Sequence, residues 1–462
     1  MVDPVRNQRL PTELKESDVD AALARIEQRD AARARDGAHV YETLTWGEGP
    51  GALTQHGVQD WLWYRLPTKY LTDEPVYMGR MAEIAAELFD ELELDWYAAI
   101  CRSETTAEVH RAFDRSDETG LTAMSKAMDE SGIRPPDLDD FQWGQIMGIE
   151  ESNARSAVEL VLEQAIADGE LVVGARAWRA RQRNVTRRAL DADHPVQPGQ
   201  SWRSAVTTER LSTWTNAGSM RSEALGRLRA RVANRLLHPV EPPLDLADRL
   251  RPLTWYLDRF GPEQPLTQAG YLNTAFVAQL HTEQPWDDKF SHGSPPRSET
   301  DARDLHGLRL RLETIGALRK YSKVVKRTAR GTEMVDHPLI AWTAFTSEIA
   351  SSAWDRFAIE TCGLVLVDVG GSAAVRDVTS AVARVAGEMG WGTSTYEGEQ
   401  DEPSHFDVSL AVDDTMALLE LFGLLDVSDD GRQRRWTLTP AGTTLVLTLL
   451  REDGVGPRNQ PW

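Results

Sequence analysis

Two stretches of this chain follow the same order of apolar, glycine and threonine residues. The first is LETIGALRKYSKVVKRTARGT and the second is LELFGLLDVSDDGRQRRWTLTPAGT. Both contain Leu-Glu-x-[Ile/Phe]-Gly-x-Leu, then a variable segment, then Thr-x-x-Gly-Thr. The variable spacing is 12 residues from Gly316 to Thr328 and 16 residues from Gly423 to Thr439. The chain is therefore expected to fold one unit twice, with a longer connection in the second copy.

Each position of the repeated pattern has a conformational reason. Glycine adopts the left-handed backbone that ends a helix, so Gly316 and Gly423 are predicted helix C-termini. Threonine is a favoured N-cap, and the proline after Thr439 suits the first helical position because it lacks only an N–H that would be unpaired there. The tip SDDG over 428–431 has turn composition, and RWTL alternates as a half-buried strand does. The pattern predicts helix, β-hairpin and helix in each copy, with the first hairpin turning at Ser322.

Both units resemble winged helix-turn-helix domains, in which Gly-x-Leu followed by Leu-Thr-x-x-Gly is a common junction between wing and helix. More narrowly, residues 254–462 are similar to uncharacterised actinobacterial proteins, in sequences that are often found beside plasmid-ORF-type domains. Three stretches carry this similarity: LTQAGYLNTAFVAQL, SETDARDLHGLRLRLETIGALRK and LTPAGTTLVLTLLR. The resemblance implies two C-terminal winged-helix units with small β-hairpins, and it does not extend to the first 240 residues.

Charge is distributed unevenly along the 462 residues. Residues 1–170 hold 35 acidic and 16 basic residues, which gives −19 of the total net charge of −21. Since an acidic surface repels nucleic acid at long range, any nucleic-acid contact is expected after residue 170. The expected fold is mainly α. Its predicted segments are an N-terminal arm with an exposed helix (1–36), an acidic all-helical domain (37–170), an Arg-rich linker and helix (171–245), and winged-helix units over 246–345 and 346–462.

Amphipathic periodicity predicts the individual helices. An exposed helix is expected over 18–36, and a single helix over 207–238. A third helix, over 74–94, has apolar residues at a spacing of three to four, which places them on one face. These residues are Met81, Ile84, Ala85, Leu88 and Leu92.

The densest basic feature of the chain coincides with the first predicted hairpin. Between Ala317 and Arg330 there are six basic residues and no acidic residue. The predicted contacts to nucleic acid are Arg319, Lys320, Lys323, Lys326, Arg327 and Arg330. The helix before the hairpin usually enters the major groove in winged-helix proteins. Its candidates for exposed contacts are Arg303, His306, Arg309 and Arg311, of which Arg309 is predicted as a site residue.

Two functions remain open from the sequence. In the first, the protein is a DNA-associated regulatory or mobile-element-linked factor that contacts double-stranded DNA through the first hairpin. In the second, it is a protein-interaction scaffold whose winged helices mediate protein contacts or self-association. An uncovered basic hairpin favours the first function, and winged units packed face to face favour the second.

Two other features have a less specific interpretation. Six arginines lie between Arg176 and Arg188 and surround Trp178, which makes this stretch a second candidate for nucleic acid. They are more simply explained as partners for the carboxylates of the preceding acidic domain. The arginines of the second predicted hairpin are offset by nearby aspartates, so a solvated face is expected there. Trp61, Trp63, Trp96 and Trp143 are expected to be core residues, with an aromatic groove as the alternative.

Enzymatic chemistry is not predicted. GLVLVDVGGSAA, over 363–374, resembles the strand and glycine turn of a methyltransferase cofactor site, but only 88 residues follow it. The sequence WGEGPG lacks the Gly-Lys-Ser/Thr ending of a phosphate loop, and neither His-Glu-x-x-His nor Gly-x-Ser-x-Gly occurs. No cofactor or metal is therefore expected. Cys101 and Cys362 are the only cysteines, and no apolar run is long enough for a membrane span, so we expect a cytoplasmic protein.

Overall fold

The computed structural model of the protein describes residues 9–70, 76–261, 263–286, 295–350, 352–394, 400–429 and 431–459. The protein is mainly helical, with two small three-stranded antiparallel sheets. Its described residues form two compact units: the first contains residues up to 206 together with 457–459, and the second contains 207–456. The start of the predicted N-terminal arm, residues 1–8, lies outside the described residues.

The first unit is built from helices around two hydrophobic cores. One core contains buried residues between Leu14 and Met128, and the other contains buried residues between Ile133 and Val206. A π-helical turn, Trp61–Arg65, connects the third and fourth helices. The helices are α1 Glu16–Arg29, α2 Ala31–Thr45, α3 Gln55–Asp60, α4 Leu66–Lys69, α5 Tyr77–Glu91, α6 Asp95–Cys101, α7 Glu104–Phe113, α8 Asp117–Ser131, α9 Ile149–Ala167, α10 Trp178–Leu190 and α11 Trp202–Ser219, the last of which crosses the division between the units.

The helix predicted over 74–94 is confirmed over Tyr77–Glu91, while residues 74–75 of the predicted range lie outside the described residues. The five apolar residues that defined its face are all buried. The prediction for the helix over 18–36 is wrong in extent. The helix expected over 18–36 is interrupted because the Asp30 carboxylate accepts hydrogen bonds from two backbone N–H groups and starts α2. Its first part is exposed on one side only, since Val19, Ala22 and Ile26 form a buried face of α1.

The second unit contains the remaining elements. The helix expected over 207–238 is two helices, because the Ser222 hydroxyl accepts a hydrogen bond from the backbone N–H of Leu225 and starts α12. The elements are α12 Glu223–Leu236, α13 Leu246–Arg249, α14 Arg251–Asp258, β1 Gln264–Pro265, α15 Thr274–Glu283, α16 Arg303–Thr314, β2 Leu318–Tyr321, β3 Val324–Arg327, α17 Ala329–Asp336, α18 Pro338–Ser347, α19 Ala353–Asp368, β4 Ser372–Ala374, α20 Val375–Glu388, β5 Thr393–Ser394, β6 Gln400–Asp401, α21 His405–Leu421, β7 Leu425–Asp429, β8 Arg434–Leu438 and α22 Pro440–Val455.

The second unit repeats one order of elements. The order α14-β1-α15-α16-β2-β3-α17 corresponds to α19-β4-α20-α21-β7-β8-α22, with the short β5–β6 hairpin added between α20 and α21. The sheets have equivalent strand orders, β1-β3-β2 and β4-β8-β7, and every pairing is antiparallel. Both predicted hairpins are therefore confirmed, although Asp430 at the second tip lies outside the described residues.

The repeated glycine and threonine positions have the predicted local roles. Gly316 and Gly423 end α16 and α21 with φ angles of +73° and +62°. The hydroxyls of Thr328 and Thr439 each accept a hydrogen bond from a backbone N–H in the first turn of the following helix. Each hydroxyl also donates to the carbonyl of the glycine that ends the helix before the hairpin. The distance is 2.7 Å from Thr328 to Gly316 and 3.1 Å from Thr439 to Gly423. These bonds hold the start of the last helix against the start of the hairpin in both copies.

The buried residues of both repeats form one continuous core, which extends from Leu211 to Leu450. The apolar run within 363–374 lies largely inside α19, so it is helical up to Asp368 and does not provide the strand that a methyltransferase cofactor site would need. Over the ranges that the structure describes, none of the helices combines the length and apolar character required to span a membrane.

Candidate nucleic-acid interface

The first hairpin, β2–β3, presents its basic residues on a short and well-defined surface. Ser322 at the turn has a φ of +53°, and the strands pair from Leu318 opposite Arg327 to Tyr321 opposite Val324. Leu318 and Val325 are buried, which fixes the inner face of the hairpin. Because side chains alternate between the two faces of a strand, those of Arg319, Tyr321 and Lys326 lie on the outward face.

Two cations face each other across the outward face of the hairpin. Arg319 and Lys326 are directly opposed in the strand register. Like charges in this position destabilise a sheet. The ring of Tyr321 contacts both cations, with its centroid 5.4 Å from the Arg319 guanidinium carbon and 4.6 Å from Lys326 Nζ. These cation–π contacts offset part of the repulsion, and a bound anion would offset more of it.

Tyr321 was not among the residues predicted from the sequence. Its position between basic residues in RKYSK was the available signal, because an aromatic residue on a cationic surface can contact both phosphates and rings of a nucleic acid. Its side chain is 42% exposed, so the ring is accessible from solvent as well as from its two cations.

Four of the predicted cations are exposed on or beside this hairpin. They are Arg319, Lys320, Lys323 and Arg330. None of the four forms an ion pair with a described acidic residue. We call these four residues, together with Lys326, Arg327 and Tyr321, the cationic hairpin.

The other two predicted cations have acidic partners in the same unit. Lys326 Nζ is 3.1 Å from a Glu263 carboxylate oxygen, and Arg327 Nη1 is 2.7 Å from an Asp258 carboxylate oxygen. Both acidic side chains are more than half exposed. Ion pairs of this kind contribute little to stability. The partners therefore reduce the local positive charge without locking these two cations away from an anionic ligand.

Arg309 does not belong to the exposed surface, and its predicted exposure is wrong. Its side chain is 4% exposed and lies between Glu299 and Glu313, bonding Glu299 through Nε and approaching Glu313 to 2.6 Å through Nη1. Glu299 also accepts hydrogen bonds from the Leu272 backbone N–H at 2.6 Å and from His306 Nδ1 at 3.1 Å. Burial alone would raise the pKa of Glu299, but these donors outweigh it and lower that pKa.

The remaining candidates of α16 are also not arranged to enter a DNA groove. Arg311 donates to the Glu348 backbone carbonyl at 2.6 Å, and burial lowers the pKa of its guanidinium group. His306 is bonded to Glu299. Arg303 is exposed, but it lines a groove between α16 and α21 rather than an open helix face.

The groove between α16 and α21 has a cavity volume of about 430 Å³. Its α16 side includes Gly307 and Leu310, and its α21 side includes Asp413, Asp414 and Leu421. The outward faces of the two corresponding helices of the repeat therefore meet each other. Because α21 places two exposed aspartates there, DNA phosphates would be repelled from this side of α16.

Some arginines of the arginine-rich stretch and of the second hairpin have local partners. Arg188 forms a two-pronged ion pair with Glu170, with both N–O distances 2.9 Å, and the Arg179 guanidinium carbon lies 4.4 Å from the centroid of the Trp178 ring. In the second hairpin, Arg434 is opposite Asp429 in the strand register. The other five arginines of the stretch form no ion pair with a described acidic residue, so only the second hairpin is closer to charge balance than the cationic hairpin.

Comparison with known proteins finds no match to the chain among family models, curated proteins or solved structures. Within the described part of the chain, histidine, cysteine, aspartate and glutamate side chains form no group of three or more that could hold a metal ion.

Proposed function

We propose that residues 246–455 form two winged-helix units and that the cationic hairpin of the first unit binds double-stranded DNA through its phosphates. The protein would then act as a DNA-associated regulatory or mobile-element-linked factor. The observation that carries the proposal is a hairpin that, together with Arg330 beside it, has six basic residues, four of them exposed, and in which two directly opposed cations contact one tyrosine ring.

The topology supports the winged-helix part of the proposal. A winged helix has the order helix, short strand, two further helices, and then a β-hairpin called the wing. The short first strand pairs with the second strand of that hairpin. Both repeats have this order, and β1 and β4 each pair with the second strand of the following hairpin. In the first repeat the wing corresponds to β2–β3, which is the cationic hairpin.

The position of α16 restricts the kind of DNA contact that we propose. Base-specific recognition in this class of fold generally uses the helix before the wing. Here Arg309 is buried and the outward face of α16 meets the acidic face of α21. We therefore propose a contact to the phosphate backbone by the wing, with low sequence specificity, since phosphate contacts position a protein but do not read bases.

Removal of three exposed charges should weaken DNA binding and flatten its salt dependence. In the variant Arg319→Gln/Lys320→Gln/Lys323→Gln, the slope of log K against log salt should become less negative by about 3, because each neutralised phosphate contributes about 0.9. The measurement is fluorescence anisotropy of a labelled duplex over a series of salt concentrations. Two duplexes of unrelated sequence should give similar affinities.

A matched control for this experiment lies on the second hairpin. The variant Arg432→Gln/Arg434→Gln/Arg435→Gln removes the same charge from the same unit and should leave the slope close to that of the unchanged protein. Equal effects of the two variants would show that only total charge matters. No binding of the unchanged protein at low salt would contradict the DNA proposal.

A second candidate function is a protein-interaction scaffold, and the meeting of α16 with α21 favours it. The helix before the wing commonly contacts DNA in winged-helix proteins. Here the two helices in that position, α16 and α21, line one acidic, partly apolar groove, in which Leu310 is 44% exposed. Exposed apolar surface rimmed by polar residues is typical of protein contacts. Under this alternative, the variant Leu310→Asp would abolish a protein interaction or self-association measured by sedimentation, whereas DNA binding would not be observed.

A further inference from the structure

Helix α10 of the first unit has a row of exposed arginines along one side. Arg179, Arg183 and Arg187 lie four residues apart in the sequence, and all three are exposed. Because an α-helix completes a turn in just under four residues and rises about 1.5 Å per residue, they form one line about 12 Å long. Val185 and Ala189 are buried on the other side of the helix. We call the three exposed residues the arginine row.

The arginine row has no counter-charge from the protein over the ranges that the structure describes. None of its members forms an ion pair there, and the acidic residues at the end of the helix are already paired with other arginines. Glu170 pairs with Arg188 at 2.9 Å, and Asp191 pairs with Arg203 at 2.7 Å. Since like charges four residues apart destabilise a helix, the row is an unfavourable arrangement without an anionic ligand.

The acidic character of the first unit does not cancel this charge locally. Three acidic residues share surface depressions with Arg179, and each has another partner. The pairs are Asp129 with Arg134, Glu130 with Lys126, and Asp137 with the backbone N–H of Trp143. More distant carboxylates are screened, because the Debye length is about 10 Å at 0.1 M salt. An anion that approaches α10 would therefore meet positive charge at close range.

The start of α10 adds to the imbalance. Its first turn contains no acidic residue, and Ala177 before it provides no side-chain cap. The helix dipole places partial positive charge at this end, which makes the Arg179 cation there unfavourable on its own. The Arg179 guanidinium carbon lies 4.4 Å from the centroid of the Trp178 ring, and this contact restricts the arginine to one position. A bound phosphate would compensate both the arginine and the helix end.

Duplex DNA fits the arginine row better than the acidic surface of a second copy of the protein does. A duplex carries one negative charge per about 1.7 Å of its axis, so the row would face several phosphates at once. The guanidinium group also presents a fork of donors that matches phosphate oxygens. Carboxylates of the acidic helices, by contrast, are already paired with arginines of the same unit, as Glu83, Glu87 and Glu91 are.

We infer that the arginine row is a second contact to the phosphate backbone of double-stranded DNA, additional to the cationic hairpin. The inference rests on the proposed function for the choice of duplex DNA as the ligand. The two surfaces are otherwise independent, because the row belongs to the first unit and the hairpin to the second. Each should therefore make its own contribution to the salt dependence of binding.

Removal of the row should flatten the salt dependence of DNA binding. In the full-length variant Arg179→Gln/Arg183→Gln/Arg187→Gln, the slope of log K against log salt should become less negative by about 3, as measured by fluorescence anisotropy of a labelled duplex. Glutamine is a good helix former, so α10 should remain folded, which circular dichroism checks. The variant Arg179→Lys/Arg183→Lys/Arg187→Lys keeps the charge and should keep the slope.

A matched control removes three arginines of the same unit that have acidic partners. The variant Arg25→Gln/Arg102→Gln/Arg111→Gln changes the net charge equally, at exposed positions paired with Glu91, Glu83 and Glu104. It should leave the slope close to that of the unchanged protein. Equal flattening by this variant and by the row variant would overturn the inference, because only net charge would then matter.

The failure of this inference is distinguishable from the failure of the proposed function. An unchanged slope in the row variant, with a flattened slope in the hairpin variant Arg319→Gln/Lys320→Gln/Lys323→Gln, would overturn the row alone. The reverse result would support the row and contradict the hairpin. If the row variant altered only the sedimentation of the free protein, the row would be a contact to a second copy and the inference would be wrong. Absence of duplex binding at low salt would overturn both.

Discussion

Replacement of Arg309 by methionine should lower the free energy of unfolding of the protein by about 3–5 kcal/mol, the usual cost of removing one partner from a buried ion pair. Glu299, at 1% exposed, would keep its charge without its main cationic partner. Urea unfolding followed by circular dichroism at neutral pH measures this effect. The same variant should bind DNA with a salt dependence close to that of the unchanged protein, because Arg309 is not on the cationic hairpin.

The effect of Arg309→Met should also depend on pH in a defined direction. The lowered pKa of Glu299 in the folded protein means that its contribution to stability is present at neutral pH and is lost as the pH falls through that value. In the variant, burial instead favours the protonated carboxyl. The difference in unfolding free energy between the two proteins should therefore shrink in acid.

A control on the same helix separates burial from charge. Arg303→Met removes an exposed arginine from α16 and should change the unfolding free energy by no more than about 0.5 kcal/mol. The double variant Glu299→Gln/Arg309→Met should recover part of the lost stability, because it removes the unpaired charge. If Arg309→Met were fully stable but lost DNA binding, our assignment of Arg309 to the interior would be wrong.

Replacement of Gly442 by alanine should destabilise the second unit by about 3 kcal/mol, at the upper end for overpacked sites. A Cβ atom at this position would lie 1.8 Å from the backbone oxygen of Leu424. Neither group can move easily, because the Thr439 hydroxyl accepts from the Gly442 N–H at 3.1 Å and lies 3.2 Å from the same Leu424 oxygen. Thermal unfolding of the variant measures the loss.

The corresponding position and a matched control sharpen this prediction. At Gly331, the equivalent Cβ would lie 2.3 Å from the Ala317 oxygen, so Gly331→Ala should also be destabilising. At Gly307, within α16, an added Cβ has no heavy atom within 4 Å, and Gly307→Ala should stabilise the protein by about 1 kcal/mol. Equal stability of Gly442→Ala and the unchanged protein would show that α22 does not begin against β7 as described.

The elements that the sequence predicted correctly depend on neighbours in the chain. Gly316 and Gly423 end helices because their backbone adopts positive φ, and Thr328 and Thr439 begin helices because their hydroxyls reach the N–H groups three residues on. The missed breaks at Asp30 and Ser222 are also local. Both are favourable N-caps, but helical periodicity continues across them and therefore concealed the interruption.

The candidate site was predictable only in part. The charge of the cationic hairpin is visible in the sequence because the strands are adjacent and the chain has no acidic residue between them. The burial of Arg309 was not predictable, because its partner Glu299 lies ten residues earlier, outside α16, and an arginine on an amphipathic helix is ordinarily assigned to the exposed face. Folding brought the two together and satisfied both charges.

The sequence by itself determined the duplicated helix–hairpin–helix order, its glycine and threonine junctions, and the concentration of positive charge in one hairpin. These features follow from backbone preferences and hydrogen bonds that span only a few residues. The tertiary structure alone decided that the outward faces of α16 and α21 meet and that Gly331 and Gly442 lie against backbone oxygens. These depend on close packing between distant segments, for which no local pattern in the chain provides a signal.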